Sequence, residues 1–395
     1  MARSVSMKKK NRGKRWLTVL IAIAIILVLV SSFYLFVVRY TPSKGFGSAD
    51  WSKDKAFNVN DIKSITLKEG QTDLKIVQLA DLHLKFGSIG KDKKTIKYID
   101  LMLEAEKPDL CVATGDMLFN LFNEGALNYF CKFMESKKQP WAFVFGNHDS
   151  EIGLSKYRIS KTLDEYDYCL YSAGPKNVDG AGNYFINIKN FDGDIVYTLA
   201  MLDSQMYPAD NKAGGIVWKY DGFKEIQVQW YEWMITNLQK EAPGIQSLAF
   251  FHMPIQQFQD LYKTGSYDGD IQEDADEDTG MGIYPQGTEV HFFDKVKELG
   301  STKAIFVGHD HANTMRGYYD GIFLCYGKTS GYSTYPVFKK NNWIVKMLKK
   351  SDKIFYNAEL LKNGRGFTVI SVQNLDYSNL NYGSFSVRDI YHKDM

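Results

Sequence analysis

Five times along this chain an apolar stretch of four to seven residues ends in a cluster of aspartate, histidine or asparagine. Leu74–Ala80 runs into Asp81-Leu82-His83, Leu110–Thr114 into Gly115-Asp116, and Trp141–Phe145 into Gly146-Asn147-His148-Asp149. Leu248–Phe251 is followed by His252, and Ala304–Val307 by Gly308-His309-Asp310-His311. Short apolar runs bounded by turn-forming residues read as buried strands. Ligand-type side chains at their carboxyl ends place a site at the rim of an open α/β sheet, where such sheets carry their ligands.

The segments between these runs alternate with them. Ile96, Ile99 and Leu103 give Lys91–Glu106 helical spacing, and helices are expected over Leu127–Ser136 and Phe223–Lys240, the last ended by Pro243-Gly244. Strand–helix alternation implies parallel pairing in the first half. Tyr184–Ile188 and Ile195–Leu202, on either side of Gly193, read as strands, and Ile322–Tyr326 and Phe367–Val372 as antiparallel returns. Two packed sheets with helices outside them account for this order.

The amino end has a different character. Residues 1–15 carry +7 of a formal net charge of +2, which leaves −5 for the rest. A mildly acidic body argues against general nucleic-acid binding, which needs a basic face. Trp16–Val38 is 23 residues without a charge, enough at about 1.5 Å per residue to cover the hydrocarbon layer. Trp16 and Tyr34 sit near its ends, as interfacial aromatics do. With the basic cluster ahead of it, the span reads as an uncleaved signal anchor in the cell membrane, its amino end cytoplasmic and the body outside. The expected layout is a basic tail over 1–15, a transmembrane anchor over 16–38, a linker over 39–71, the main domain over 72–375 and a tail over 376–395. Cys111 and Cys325 lie in apolar runs and read as buried thiols, while Cys131 and Cys169 leave a disulfide open.

Carboxylate, imidazole and amide ligands suit hard or borderline divalent metals. Asp81 and His83 are expected to share a face, as alternate residues leaving a strand do. Asp116 has two oxygens with which to bridge a pair of ions. Counting ligands assigns Asp81, His83, Asp116 and His311 to one ion, and Asp116, Asn147, His252 and His309 to the other. Two ions about 3.5–4 Å apart clamp a phosphate and activate water for in-line attack. His148 is left over, and reads as an imidazole near the leaving group with Asp149 orienting it. Other features have plainer readings. Acidic residues between Asp268 and Asp278 form a solvated loop that lacks the order of an EF-hand. Asp203-Ser204 is a turn or a support for the ligands. Tyr207, Trp218 and Tyr220 are core packing or cleft lining, and His291 and His392 are surface residues.

The order D-x-H, G-D, G-N-H-D, a single H and G-H-x-H resembles the calcineurin-like metallophosphoesterase family, over roughly residues 74–326 and extending to 372. Phe250-Phe251-His252-Met253-Pro254, Gly308 to Asn313 and Leu324-Cys325-Tyr326 are similar to its small single-domain branch related to purple acid phosphatases. The resemblance implies an α/β fold, a four-layer α/β/β/α sandwich, with two divalent ions of the Mn, Fe or Zn kind and phosphoester hydrolysis. Purple enzymes place a ligating tyrosine three residues after the bridging aspartate, where this chain has Phe119. They also lack a histidine at the position of His83. A colourless metal pair follows. The expected activity is hydrolysis of phosphomonoesters by a metal-bound hydroxide, with a phosphodiesterase or a non-catalytic surface scaffold as alternatives.

Overall fold

The computed structural model describes residues 16–32, 45–47, 50–51, 57–120, 123–151, 153–207, 220–272, 282–287, 290–334 and 359–395. The basic tail, residues 33–38 of the expected span, Trp218, and Glu273 to Asp278 of the acidic loop lie outside them.

Twelve strands among the described residues form two sheets. The larger is built from β1 (Ser64–Thr66), β5 (Tyr184–Lys189), β6 (Ile195–Met201), β7 (Ser247–Phe250), β8 (Thr302–Val307), β9 (Arg316–Tyr319) and β10 (Ile322–Tyr326), in the order β1-β5-β6-β7-β8-β10-β9. The smaller holds β2 (Leu74–Leu79), β3 (Leu110–Thr114), β4 (Trp141–Val144), β11 (Gly366–Val372) and β12 (Phe385–Tyr391), ordered β12-β11-β2-β3-β4. Both are mixed. β2, β3 and β4 run parallel, as do β6, β7, β8 and β10. All five ligand-bearing strands therefore point the same way within their sheets.

One core lies between the sheets and extends under the helices Gly90–Glu106 and Asn123–Lys137. It joins Ile76, Val112 and Phe143 of the smaller sheet to Ile186, Leu199 and Phe306 of the larger, and to Ile99 and Phe130. A second core packs Phe185, Phe251, Ile305 and Leu324 against Tyr231 and Phe292 from the helices Glu225–Glu241 and Phe292–Leu299. The layers run helix, sheet, sheet, helix. Each fully buried Leu or Phe contributes roughly 1.5–3 kcal/mol against leaving it in water, so these apolar faces dictate the stacking.

Several expectations need correction. Ile322–Tyr326 pairs parallel with β8 as well as antiparallel with β9, because the returning strand is the short β9. The linker is not a free tether. Its residues Ser64–Thr66 pair with β5, and Trp51 is buried with its ring 6.1 Å from that of Trp233. The carboxyl tail supplies β12, which covers the open edge of β11. His392 is buried rather than exposed, stacked on Tyr98 at 4.4 Å. All four cysteines are free and buried. Among the described residues no helix is long and apolar enough to cross a membrane. The helical stretch 16–32 covers part of the expected span, and its apolar side chains are exposed.

Candidate dinuclear metal centre

The ligand-type residues converge where β2, β3, β4, β7 and β8 end. Two glycines make the approach possible. A Cβ on Gly115 would lie 2.5 Å from Nδ1 of His252, and one on Gly146 would lie 2.2 Å from Oδ1 of Asp116. Any other residue would push these ligands apart. The face-sharing argument for Asp81 and His83 fails in detail, since both lie past the end of β2 in left-handed backbone, with φ of 54° and 47°. Asp116 and His309 adopt the same region, with φ of 50° and 76°. Non-glycine residues held there cluster at functional sites, where the surroundings over-determine them.

One group consists of Asp81, His83, Asp116 and His311, whose donor atoms all lie within 4.8 Å of one another. Nε2 of His83 is 3.1 Å from Nε2 of His311 and 3.5 Å from Oδ2 of Asp116. Nε2 of His311 is 3.5 Å from Oδ1 of Asp81. A second group shares Asp116. Oδ1 of Asn147 is 3.1 Å from Nε2 of His252 and 3.0 Å from Nδ1 of His309. Those two nitrogens are 3.3 Å apart, and Nε2 of His252 is 3.3 Å from Oδ2 of Asp116. Both groups match the ligand sets that residue counting assigned to two ions.

The chemistry of these donors fits cations. Oδ2 of Asp116 is buried without a hydrogen-bond partner, although it faces both histidine groups. Its other oxygen accepts the backbone N–H of His148 at 2.8 Å. A buried carboxylate oxygen that makes no hydrogen bond is costly, and a position between two nitrogen clusters suits a bridge. His252 Nδ1 lies 2.9 Å from the carbonyl of Thr114. Donation there fixes the tautomer and turns Nε2 toward the site, the outer-shell arrangement typical of metal-bound imidazole. Donor atoms 3.0–3.3 Å apart also match the spacing of ligands around one ion at about 2.0–2.1 Å.

Without cations the site balances itself with protons. Burial lowers the His252 pKa, but the Asp116 carboxylate overrides it and lifts the group to about 10. Burial drives His83 down to about 4 and holds His309 well below the usual imidazole range. Burial raises Asp116, yet the charges of His252 and His148 hold it well below the usual carboxylate range.

The structure reassigns Asp149. Its carboxylate is fully buried and accepts three backbone N–H groups, from Asp116 at 2.9 Å, Gly146 at 2.7 Å and Leu118 at 2.9 Å. It braces two ligand loops and does not touch the His148 ring. The partner of His148 is Glu151, whose Oε2 lies 2.5 Å from Nδ1. Sequence reading missed Glu151. Its position three residues after His148 was the available signal. His148 stands at the cleft edge with Nε2 4.0 Å from Asp116 Oδ2, and its ring packs 4.6 Å from Phe119. Burial lowers its pKa, but Asp116 and Glu151 together raise it.

Around the centre, Asp203 forms a buried ion pair with Lys156 at 2.5 Å, and Ser204 accepts the N–H of Met253 next to His252. These two residues support the site from behind. Tyr207 and Tyr220 stack on each other at 5.9 Å, and Tyr220 meets the His309 ring edge-on at 4.7 Å. They line an open cleft of about 790 Å³ together with His83, His148, His311 and Phe119. Asp268 pairs with Arg316 on the surface, which accounts for the described start of the acidic loop.

A family model described as calcineurin-like phosphoesterase matches residues 74–313, which includes every ligand in the two groups. The chain belongs to the calcineurin-like phosphoesterase family. Within that family, "Probable inactive purple acid phosphatase 28" of Arabidopsis thaliana is 28% identical over 68% of this chain and 72% of its own length. "Phosphatase DCR2" of Saccharomyces cerevisiae is 31% identical over 64% of this chain and 47% of its own. Among solved structures, a dimetal phosphatase from Danio rerio aligns with a TM-score of 0.43 and 12% identity, over 66% of this chain and 88% of the other. Phe119, in the same cleft, carries no metal-ligand atom.

Proposed function

We propose that this chain is a dinuclear metal-dependent phosphomonoesterase. One observation carries the reading: the buried Oδ2 of Asp116, without a hydrogen bond, lies between two groups of donors. Two divalent ions held by Asp81, His83, Asp116, Asn147, His252, His309 and His311 would supply Lewis-acid charge and lower the pKa of the water that attacks phosphorus. Asp149 keeps the backbone of Asp116 and Gly146 in place. His148, held by Glu151, delivers the proton to the leaving oxygen. Lys85 and Lys91 line the same cleft and make no ion pair among the described residues. That free positive charge favours a doubly charged monoester over a singly charged diester. Tyr207 and Tyr220 close one side of the cleft.

The placement of the body outside the cytoplasm, anchored by residues 16–38, belongs to the same reading. It rests on the charge asymmetry of the sequence around that segment. Protease added to spheroplasts should digest the body, and a fully protected body would remove this part.

Purified full-length chain, supplied in turn with Mn²⁺, Zn²⁺ and Fe²⁺, should hydrolyse an aryl phosphate faster than the corresponding diester. Faster turnover of the diester would make it a phosphodiesterase. Two bound metals with no turnover of either would leave a binding scaffold, the outcome suggested by the name of the Arabidopsis relative.

A further inference from the structure

The cleft beside the metal centre is far larger than a phosphate needs, and Phe86 and Ile89 add apolar surface to its lining. Phe86 and Ile89 are 48% and 60% exposed, on the loop between β2 and the helix Gly90–Glu106. They share the cavity of about 790 Å³ with Phe119, Tyr207 and Tyr220. Scattered exposed apolar side chains are normal on a protein surface, so exposure alone decides nothing. What distinguishes this pair is the loop that presents them.

That loop is built to hold its shape. Asp92, buried, accepts the backbone N–H groups of Lys85 and Phe86 at 2.6 Å and of Gly87 at 2.9 Å. Its second oxygen accepts the Ser333 hydroxyl at 2.7 Å, and Ser333 also lines the cleft. Gly87 has φ of +77°, and a Cβ there would lie 2.6 Å from Tyr129. Asn120 donates to the carbonyl of Lys85 at 2.9 Å. Four contacts thus fix the backbone that turns Phe86 and Ile89 outward. Partly exposed apolar side chains presented by a pinned loop, in one cavity with aromatic residues, have the make-up of a ligand wall.

We infer that the alcohol half of the substrate is apolar and lies against Phe86 and Ile89 while its phosphate sits at the metal centre. This deepens the phosphomonoesterase reading and rests on it for the position of the phosphate. The shared chemistry is an apolar group of aromatic or long-chain alkyl kind on a phosphate dianion. Sugar phosphates and glycerol phosphate would gain nothing from this wall.

The test is equilibrium binding of phosphonates, which no phosphatase cleaves, to the full-length metal-loaded chain. Calorimetry compares methylphosphonate, 1-naphthylphosphonate and octylphosphonate. Burying an apolar group against two such side chains is worth about tenfold or more in affinity. At least one of the two large ligands should therefore bind about tenfold tighter than methylphosphonate, and the better one identifies the alcohol. In the double variant F86S/I89S the ratio should fall to within about threefold. The control F191S alters an equally exposed aromatic outside the cleft and should keep the ratio. Both positions are solvent-facing, so thermal unfolding should show the variants folded. Equal affinity for all three ligands, or a preference that survives F86S/I89S, would overturn the inference. Binding also separates the two readings. A retained preference with no ester turnover refutes only the enzymatic function, and turnover without a preference refutes only the apolar wall.

Discussion

Glu151→Gln tests the geometry of the proposed proton donor. The carboxylate lies 2.5 Å from His148 Nδ1, and the two side chains are 17% and 23% exposed. A hydrogen bond to a charged group contributes about 1.5–3 kcal/mol when buried. Partial exposure puts this one at the low end, roughly 1–2 kcal/mol. Glutamine keeps the shape and removes the charge, so the imidazolium loses about that much. The His148 pKa should therefore fall, because the Glu151 carboxylate is one of the two charges that raise it. The sign follows. Glu151 favours the protonated ring, and without it the acid form is lost at lower pH. The alkaline limb of kcat should therefore move to lower pH, and kcat well above that limb should drop by about 5–30-fold. An alkyl phosphate, whose leaving alkoxide needs the proton, should suffer more than a nitrophenyl phosphate. Metal analysis should still find two ions. An unshifted limb with unchanged kcat would refute the role given to Glu151. Loss of metal would show that the pair supports the ligand loops instead.

Asp149→Ala removes the acceptor of three buried N–H groups. It should cost at least about 3 kcal/mol in chemical denaturation, at about 1 kcal/mol or more per unpaired group, and a fully stable variant would return Asp149 to a catalytic role. Asp116→Ala should lose both ions, whereas Asn147→Ala should lose mainly one; two full equivalents retained by Asp116→Ala would rule out the bridge. Loading the metal-free chain at pH 7 should release about one proton, because His252 lies near 10 and must give up its proton to become a ligand. Affinity should accordingly rise with pH through neutrality. Calorimetry in buffers of different ionisation enthalpy measures the release, and none at pH 7 would contradict the charge balance around Asp116.

What could be read in the sequence follows the strength of each local signal. The five ligand-bearing strands are short, apolar and closed by glycine or histidine clusters, and all five lie where expected. The three helices expected in the body are present, because their buried stripes are regular. The short helices Lys156–Leu163, Gln257–Thr264 and Phe292–Leu299 were not anticipated, each being about two turns. β1 and β12 carry alternating, half-exposed patterns and exist only because a neighbouring strand offers an edge. Such tertiary pairing leaves no mark in local composition. Within the site, residue types revealed the ligands, since metal chemistry restricts them. The partner of His148 did not follow from adjacency: Asp149 is the nearer residue, yet backbone geometry turns it inward to three N–H groups and leaves Glu151 facing the ring.

The same backbone geometry explains how the ligand residues keep an unfavourable conformation. Four of them are left-handed, at about 1–3 kcal/mol each, a sum comparable with the net stability of a whole domain. Asp81, His83 and Asp116 are held because pairing between β2 and β3 continues beyond the strands, through the ligand loops, and the His309 N–H donates to Asp81 Oδ1 at 3.2 Å. Asp81 donates to the carbonyl of Gly115, His83 to that of Asp116 at 2.9 Å, and Leu84 to that of Met117 at 2.8 Å. Phe119 returns a bond to Leu84 at 3.2 Å. Asp149 ties the far side of the same loop to β4 through Gly146. The ligands are thus set by the sheet's own hydrogen bonds, before any ion arrives. A site organised this way needs little rearrangement to accept metal, and the cost of its strain is spread through the core that holds the two sheets together.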